Sequence, residues 1–135
     1  MPRARKLAQP DPVQASPAPE FWRLAVQAAQ SKQAKDIRVL DLRSITAFAD
    51  YFVIASGSNT RQIQAIVDEV ELQLKKAGDR ALSIEGYDNA EWVLMDYGDY
   101  LIHIFSDKAR LYYDLERLWR EAKVVELEPD AAHTR

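Results

Sequence analysis

Residues 50–56 read Asp50-Tyr51-Phe52-Val53-Ile54-Ala55-Ser56, a nearly unbroken run of aromatic, β-branched and other apolar side chains. A run of this kind is typical of a strand that is buried on both faces. Ser58 or Asn59 then suits the cap of a long helix that ends at Gly78. Its apolar stripe has helical spacing and comprises Ile63, Ile66, Val67, Val70 and Leu74. The segment therefore predicts the centre of a sheet with a helix packed on it.

Periodicity on either side of this strand predicts the remaining elements. A first helix runs from about Pro19 to Gln33, and a last helix follows Ser106 or Asp107. The side chains expected to face inward from that last helix are Leu111, Tyr112, Leu115, Leu118 and Trp119. Further strands are predicted at 37–42, 81–85, 92–95 and 100–105. The order α-β-β-α-β-β-β-α indicates an α/β fold with one right-handed crossover and a mixed five-stranded sheet.

Length and composition predict one globular domain with a polar segment at each end. The chain has 135 residues, of which 47% are apolar and 29% charged. Five of its six prolines lie in residues 1–19, so we expect a disordered arm there. The domain is expected at residues 20–122 and a polar tail at 123–135. The basic start has no apolar stretch of the kind found in secretory signals, and an organelle transit peptide remains the less favoured alternative to a cytoplasmic location.

The charge balance and the missing residue types exclude several classes of site. With 18 basic and 21 acidic side chains the chain carries a net charge of -3, which argues against bulk binding to nucleic acid. There is no cysteine for a disulfide, a thiolate nucleophile or a cysteine zinc site, and there are only two histidines. No apolar run approaches the roughly 20 residues of a membrane span. The composition therefore predicts no cofactor, no metal and no membrane segment.

Segments 92–95 and 100–105 predict a β-hairpin whose connection is Asp96-Tyr97-Gly98-Asp99, where Gly98 can adopt a positive φ. A turn at 97–98 places Trp92 opposite His103, whereas a turn at 98–99 shifts this pairing by two residues and keeps the same faces. One face then carries Trp92, Leu94, Leu101, His103 and Phe105. The other face carries Val93, Met95, Tyr100, Ile102 and Ile104.

Three helices are few for the two faces of a five-stranded sheet, so we expect one face to be incompletely covered. An exposed aromatic patch on a soluble protein usually marks a partner site, and Trp and Tyr are favoured there. The face with Trp92 and His103 is the stronger candidate. The alternative is that the first helix covers this face and that Trp92 belongs to the core.

Motifs that could carry catalysis are weak. Ser56-Gly57-Ser58-Asn59, between a strand and a helix, could hold an anion, as in nucleotidyltransferases, but the strand at 81–85 has a single acid and no paired metal-binding carboxylates. A helix cap is the favoured interpretation. Asp96 and Asp99 shape a turn or offer an acidic knob to a basic partner. His103 is interpreted as a packed or interface residue, because no nucleophile accompanies it.

Five ordered blocks resemble the ribosomal silencing factor family, also called RsfS or Iojap. They are Asp50-Tyr51-Phe52-Val53-Ile54-Ala55-Ser56-Gly57, Arg61-Gln62, Glu91-Trp92-Val93-Leu94-Met95-Asp96-Tyr97-Gly98-Asp99, His103-Ile104-Phe105 and Tyr112-Tyr113-Asp114-Leu115-Glu116-Arg117-Leu118-Trp119. The resemblance covers about residues 21–120, essentially the whole predicted domain.

The resemblance implies a mixed α/β fold similar to nucleotidyltransferases, without the catalytic carboxylates or the activity. It also implies binding to the large ribosomal subunit through the fourteenth large-subunit ribosomal protein, which blocks small-subunit joining and represses translation when nutrients are short. Some members accompany late large-subunit assembly, and free members are often homodimers. Bacterial members work in the cytoplasm, and plant and animal relatives work in organelles.

We therefore expect a ribosomal-protein-binding surface with three kinds of residue. The apolar anchors are Trp92, Leu94 and Tyr97. The rim charges are Asp96, Asp99 and Asp114. His103 and Tyr113 are supporting contacts. The other hypotheses are a nucleotide-binding or nucleotidyltransferase-like enzyme and a generic homodimeric scaffold.

Overall fold

A computed structural model describes residues 20–127. The arm expected at residues 1–19 lies outside them, as does the tail from residue 128 onward. The helices are α1 (Phe21–Ser31), α2 (Thr60–Lys76), α3 (Asp107–Tyr113) and α4 (Leu115–Leu118). The strands are β1 (Lys35–Asp41), β2 (Tyr51–Gly57), β3 (Ser83–Glu85), β4 (Trp92–Asp96), β5 (Tyr100–Ser106) and β6 (Lys123–Val124).

The strands form one mixed sheet in the order β3-β4-β5-β2-β1-β6. The predicted mixed α/β class is confirmed, and β2 lies inside the sheet, parallel to β5 and antiparallel to β1. The sheet has six strands rather than the predicted five. The additional strand β6 pairs with Leu40 and Asp41 of β1, in a region that was expected to be a tail. Because β6 has only two residues, it offers no alternating pattern by which a strand could be recognised.

The hairpin of β4 and β5 has the second of the two predicted registers. Trp92 pairs with Phe105, Leu94 with His103 and Asp96 with Leu101. Gly98 has a φ of 89°, and its N–H donates to Oδ1 of Asp96 at 2.8 Å. The turn therefore lies where the positive φ was expected, and the two predicted hairpin faces are confirmed.

The first face of the sheet is covered by α1 and α2. All five residues of the predicted α2 stripe are buried, and Asn59 Oδ1 accepts from the Gln62 N–H at 2.8 Å as the helix cap. Val93, Met95, Ile102 and Ile104 share one core with these helices. Because α1 packs on this face, the alternative in which it covers the face with Trp92 is wrong.

The second face is covered by the short helices α3 and α4 and by Trp119. Its core contains Leu40, Leu42, Phe52, Ile54, Leu101 and Phe105, with Ala109 and Leu115 packed on them from the helices. Trp92 and Leu94 remain only half-buried at its edge. The expectation of one incompletely covered face therefore agrees with the structure.

The last helix differs from its prediction because it is broken. Asp114 has a left-handed backbone, with φ 48° and ψ 51°, and separates α3 from α4. The predicted inward-facing stripe assumed one continuous helix, and its helical spacing does not continue across the break. Ala109 is the buried residue of α3 and Leu115 that of α4, whereas Leu111, Tyr112 and Leu118 are exposed, so the assignment of these three to the core is wrong. Ser106 caps α3 as expected, because its Oγ accepts from the Ala109 N–H at 3.0 Å.

Within residues 20–127, the helices lack the combination of length and hydrophobicity that a bilayer crossing requires.

Candidate protein-docking surface

Large apolar side chains are exposed on the second face and on the helices that cover it. The side chains of Tyr112, Phe48 and Tyr113 are 79%, 61% and 50% exposed. We call these three residues, with the half-buried Trp92 and Leu94, the aromatic surface. Leu111 on α3 and Leu118 on α4 add exposed leucines beside it. Exposed apolar groups concentrated in one area are typical of a surface that binds another protein.

Ring contacts join most of the aromatic surface into a row. The centroid of Tyr113 lies 4.9 Å from that of Tyr112 and 4.7 Å from that of Trp92. His103 lies 6.0 Å from Trp92 and 4.6 Å from Phe52. The row ends at Phe48, whose ring lies 6.4 Å from that of Phe52. Its two ends are in solvent and its middle is buried, so the exposed rings adjoin the core of the second face.

His103 is the buried polar member of this row. Trp92 Nε1 can only donate, and it donates to His103 Nδ1 at 3.1 Å, so the proton of the neutral imidazole is on Nε2. Among the described residues, buried Nε2 has no hydrogen-bond partner. Desolvation lowers the pKa of His103 to about 3. The ring is therefore a neutral packing group at physiological pH rather than an acid–base catalyst.

The burial of His103 predicts that the folded protein loses stability in acid. The pKa of His103 is about 3 in the folded protein and about 6.5 in an unfolded chain, so on acidification the unfolded chain takes up the proton first. The full stability is present above about pH 6.5 and falls as the pH drops towards 3, with a loss of roughly 2 kcal/mol by pH 5. Urea unfolding at pH 7 and pH 5 measures this loss.

His103→Asn is the matched variant for that measurement, because Asn keeps an acceptor for Trp92 Nε1 and does not titrate. The loss of stability between pH 7 and pH 5 should be smaller in the variant by roughly 2 kcal/mol. Equal losses in the two proteins would show that His103 does not cause the sensitivity.

The structure separates the predicted site residues into accessible and buried groups. Tyr113 and Asp114 are exposed, whereas Trp92, Leu94, Asp96 and Asp99 are half-buried. Trp92, Leu94 and Asp96 alternate along β4 and lie on the same face of the sheet. His103 is buried beneath Trp92 and gives a partner little surface to contact.

The prediction that Tyr97 is an apolar anchor is wrong. It has no exposed surface and belongs to the core of the first face, where it stacks on Tyr100 with ring centroids 5.0 Å apart. Burial and nearby acidic groups raise the pKa of its hydroxyl. Tyr97 therefore supports the hairpin from inside and cannot be an apolar anchor for a partner.

Sequence reasoning missed Phe48 and Tyr112, as well as the exposed leucines 111 and 118. Phe48 lies in the connection between β1 and β2, where a large aromatic side chain in a loop was the available signal. Tyr112 was assigned to the core by helical periodicity, which the break at Asp114 invalidates.

The turn after β2 forms a helix cap. The Ser58 N–H donates to Oε1 of Gln62 at 2.6 Å, and the Gln62 N–H donates to Asn59. Ser56 is buried, and its Oγ accepts from Arg110 at 2.8 Å. These hydrogen bonds make the turn a cap for α2, which is the interpretation that the sequence favours. Within residues 20–127, moreover, there is no cluster of three or more His, Asp or Glu that could hold a metal.

Comparisons with known proteins agree with this picture. The chain matches the family described as ribosomal silencing factor during starvation over residues 15–135. A ribosomal silencing factor RsfS from Halalkalibacterium halodurans is 40% identical over 109 residues, which are 81% of this chain and 93% of that protein. A crystal structure of a protein from Chromobacterium violaceum has a TM-score of 0.73 and 35% identity, covering 83% of this chain and 93% of that one.

A mouse protein named mitochondrial assembly of ribosomal large subunit protein 1 is 34% identical over 99 residues, which are 71% of this chain and 43% of that protein. The bacterial relative is named as a silencing factor and the mouse relative as a protein of ribosomal large subunit assembly. With its fold, its family match and the identity to its relatives in agreement, this chain belongs to the ribosomal silencing factor family, RsfS/Iojap.

Proposed function

We propose that this protein binds the large ribosomal subunit through the aromatic surface and thereby prevents the small subunit from joining, which represses translation under nutrient limitation. The contact on the ribosome is the fourteenth large-subunit ribosomal protein. The observation that carries the proposal is the exposed row of rings on the second face, in a chain that belongs to the ribosomal silencing factor family.

The composition of the aromatic surface suits a protein partner. Trp92 is half-buried, Tyr113 is half-exposed, and their rings are in contact. Each ring therefore restricts the conformation of the other before a partner binds. Rigid aromatic side chains near the centre of an interface contribute most of the binding energy in many complexes. A contact of roughly 800 Å² on each partner is enough for specific binding.

The charges around this surface suit a basic partner. Asp96 lies on the same face as Trp92, and Asp114 is exposed directly after Tyr113. The whole chain carries a net charge of -3. Acidic rim groups steer a basic ribosomal protein to the surface, whereas they repel the phosphates of bare RNA. We therefore expect little direct binding to nucleic acid.

The proposed mechanism is steric. Binding occupies the space that the small subunit needs, and no bond is made or broken. The hydrogen bonds that make the turn after β2 a helix cap favour this mechanism over a nucleotidyltransferase-like activity. A contribution to late large-subunit assembly is compatible with the same contact, and the name of the mouse relative points in that direction.

The location and the free state follow from the same proposal. Because the bacterial relative is named as a ribosomal factor, we place this protein in the bacterial cytoplasm, where the subunits are.

In the absence of ribosomes, exposed apolar rings give a second copy a surface on which to pair, so we propose a homodimer for the free protein.

Co-sedimentation with purified ribosomal particles tests the binding. We expect the protein to sediment with isolated large subunits and to stay at the top of the gradient with isolated small subunits and with joined ribosomes. Calorimetry with nucleoside triphosphates and magnesium should give no binding heat. Equal sedimentation with both subunits, or magnesium-dependent nucleotide binding, would contradict the proposal.

A further inference from the structure

The two helices that cover the second face are too short to hold their own orientation. α3 has seven residues and α4 has four, whereas an isolated helix needs about 12–15 residues to be even marginally stable in water. Their buried apolar contribution is also small, since Ala109 is the buried residue of α3 and Leu115 that of α4. The position of the exposed side chains of α3 and α4 therefore requires another source of order.

Arg110 supplies three polar contacts at this place. Its guanidinium donates to both carboxylate oxygens of Glu116, from Nη2 at 2.8 Å and from Nε at 3.2 Å. Its third nitrogen, Nη1, donates to Oγ of buried Ser56 at 2.8 Å. The Arg110 side chain is only 12% exposed, so water screens this ion pair less than a surface pair. One arginine thus joins α3, α4 and the end of β2.

Glu116 adds a second link to the sheet, because its Oε2 also lies 3.6 Å from Nε of Arg38 on β1. The backbone takes part as well, since the Asp114 N–H donates to the Arg110 carbonyl at 3.0 Å. Arg110 before the break and Glu116 after it therefore contact each other, and each of them also contacts the sheet. A bidentate arginine–carboxylate pair fixes direction as well as distance, which a single hydrogen bond does not.

We propose that the Arg110–Glu116 ion pair is a positioning device for docking: it fixes α4 against α3 and so presents Tyr112, Tyr113 and Leu118 in the geometry that the partner binds. Tyr112 and Tyr113 follow Arg110 within α3, and Leu118 follows Glu116 within α4. This inference rests on the proposed function. It assigns to the pair a role in pre-organisation, because a surface that is already ordered loses less conformational entropy on binding.

Glu116→Gln in the full-length protein tests the pair, since it removes the charge and keeps the shape. Amide hydrogen exchange of the free protein should become faster in residues 107–118 and stay unchanged in β2 and β5. Affinity for isolated large subunits should fall by about tenfold. Glu20→Gln is the matched control, because it removes the exposed ion pair of Glu20 with Arg23 at 2.9 Å, and we expect wild-type exchange and affinity from it.

The two proposals fail in different ways in this experiment. Wild-type protein that does not bind large subunits contradicts the proposed function. Wild-type binding that Glu116→Gln leaves intact contradicts the positioning role alone, as does faster exchange spread evenly over β2, β5 and the helices. If Glu116→Gln does not fold, Glu116→Asp is the second variant, because it keeps the charge but shortens its reach. It should also speed up amide exchange in residues 107–118 and weaken binding, but both effects should be smaller.

Discussion

Tyr113→Ala is expected to weaken binding to isolated large ribosomal subunits by about 30-fold, which corresponds to ~2 kcal/mol. Tyr113 lies in the middle of the aromatic surface, between Tyr112 and Trp92, and contacts both rings. Truncation removes a fixed apolar contact and leaves Trp92 less supported. Half of the Tyr113 side chain is in solvent, so the fold should survive the change. Titration of fluorescently labelled protein with purified large subunits measures the affinity.

Leu72→Ala is the matched control for this variant. Leu72 is also a large exposed apolar residue, but it lies on α2, which covers the first face of the sheet. Its truncation should leave the affinity close to the wild-type value. If Tyr113→Ala also binds with wild-type affinity, or if Leu72→Ala weakens binding just as much, the aromatic surface is not the docking site.

Gly86→Ala is expected to destabilise the fold by about 3 kcal/mol or more. Gly86 has a φ of 85°, and a Cβ at this position would lie 2.3 Å from the backbone oxygen of Trp92. Since the obstructing atom belongs to the main chain at the start of β4, no side-chain rotation can relieve the contact. Urea unfolding at neutral pH measures the loss of stability.

Gly78→Ala separates the steric contact from the cost of the backbone conformation. Gly78, just after α2, also has a positive φ, 99°, but among the described residues other than Gly78 and its two chain neighbours no heavy atom lies within 4 Å of the place that an alanine Cβ would occupy. The variant should therefore lose only the roughly 1–2 kcal/mol that a left-handed backbone costs an L-residue. Equal losses for the two variants would show that the close approach to Trp92 adds nothing.

The parts of the fold that sequence could predict are those with strong local signals. The structure agrees to within a few residues with three of these signals: the apolar run of β2, the cap at Asn59 and the apolar stripe of α2. The faces of the hairpin followed from strand alternation once a two-residue turn was assumed. β6 and the break at Asp114 have no such signal, because β6 has only two residues paired with β1 and the break is a left-handed backbone at one non-glycine residue.

The candidate site was predicted in part for the same reason. Trp92 and Leu94 followed from the face on which alternation places them, and the structure leaves both accessible. Tyr97 follows β4 directly, and the alternation that places Trp92 and Leu94 on the second face would place Tyr97 on the first face, where its ring lies in the core beside Tyr100. Its assignment as an anchor did not apply this alternation. Phe48 joins the surface only through the tertiary contact of its ring with Phe52.

Light scattering during subunit joining tests the central claim most directly. Purified large and small subunits are mixed at joining magnesium concentrations, with large subunits preincubated with wild-type protein or with the double variant Tyr112→Ala/Tyr113→Ala. We expect wild-type protein to suppress the formation of joined ribosomes in proportion to the large subunits it occupies, and we expect no suppression from the double variant. Normal joining in the presence of saturating wild-type protein, or equal suppression by the double variant, would contradict this claim.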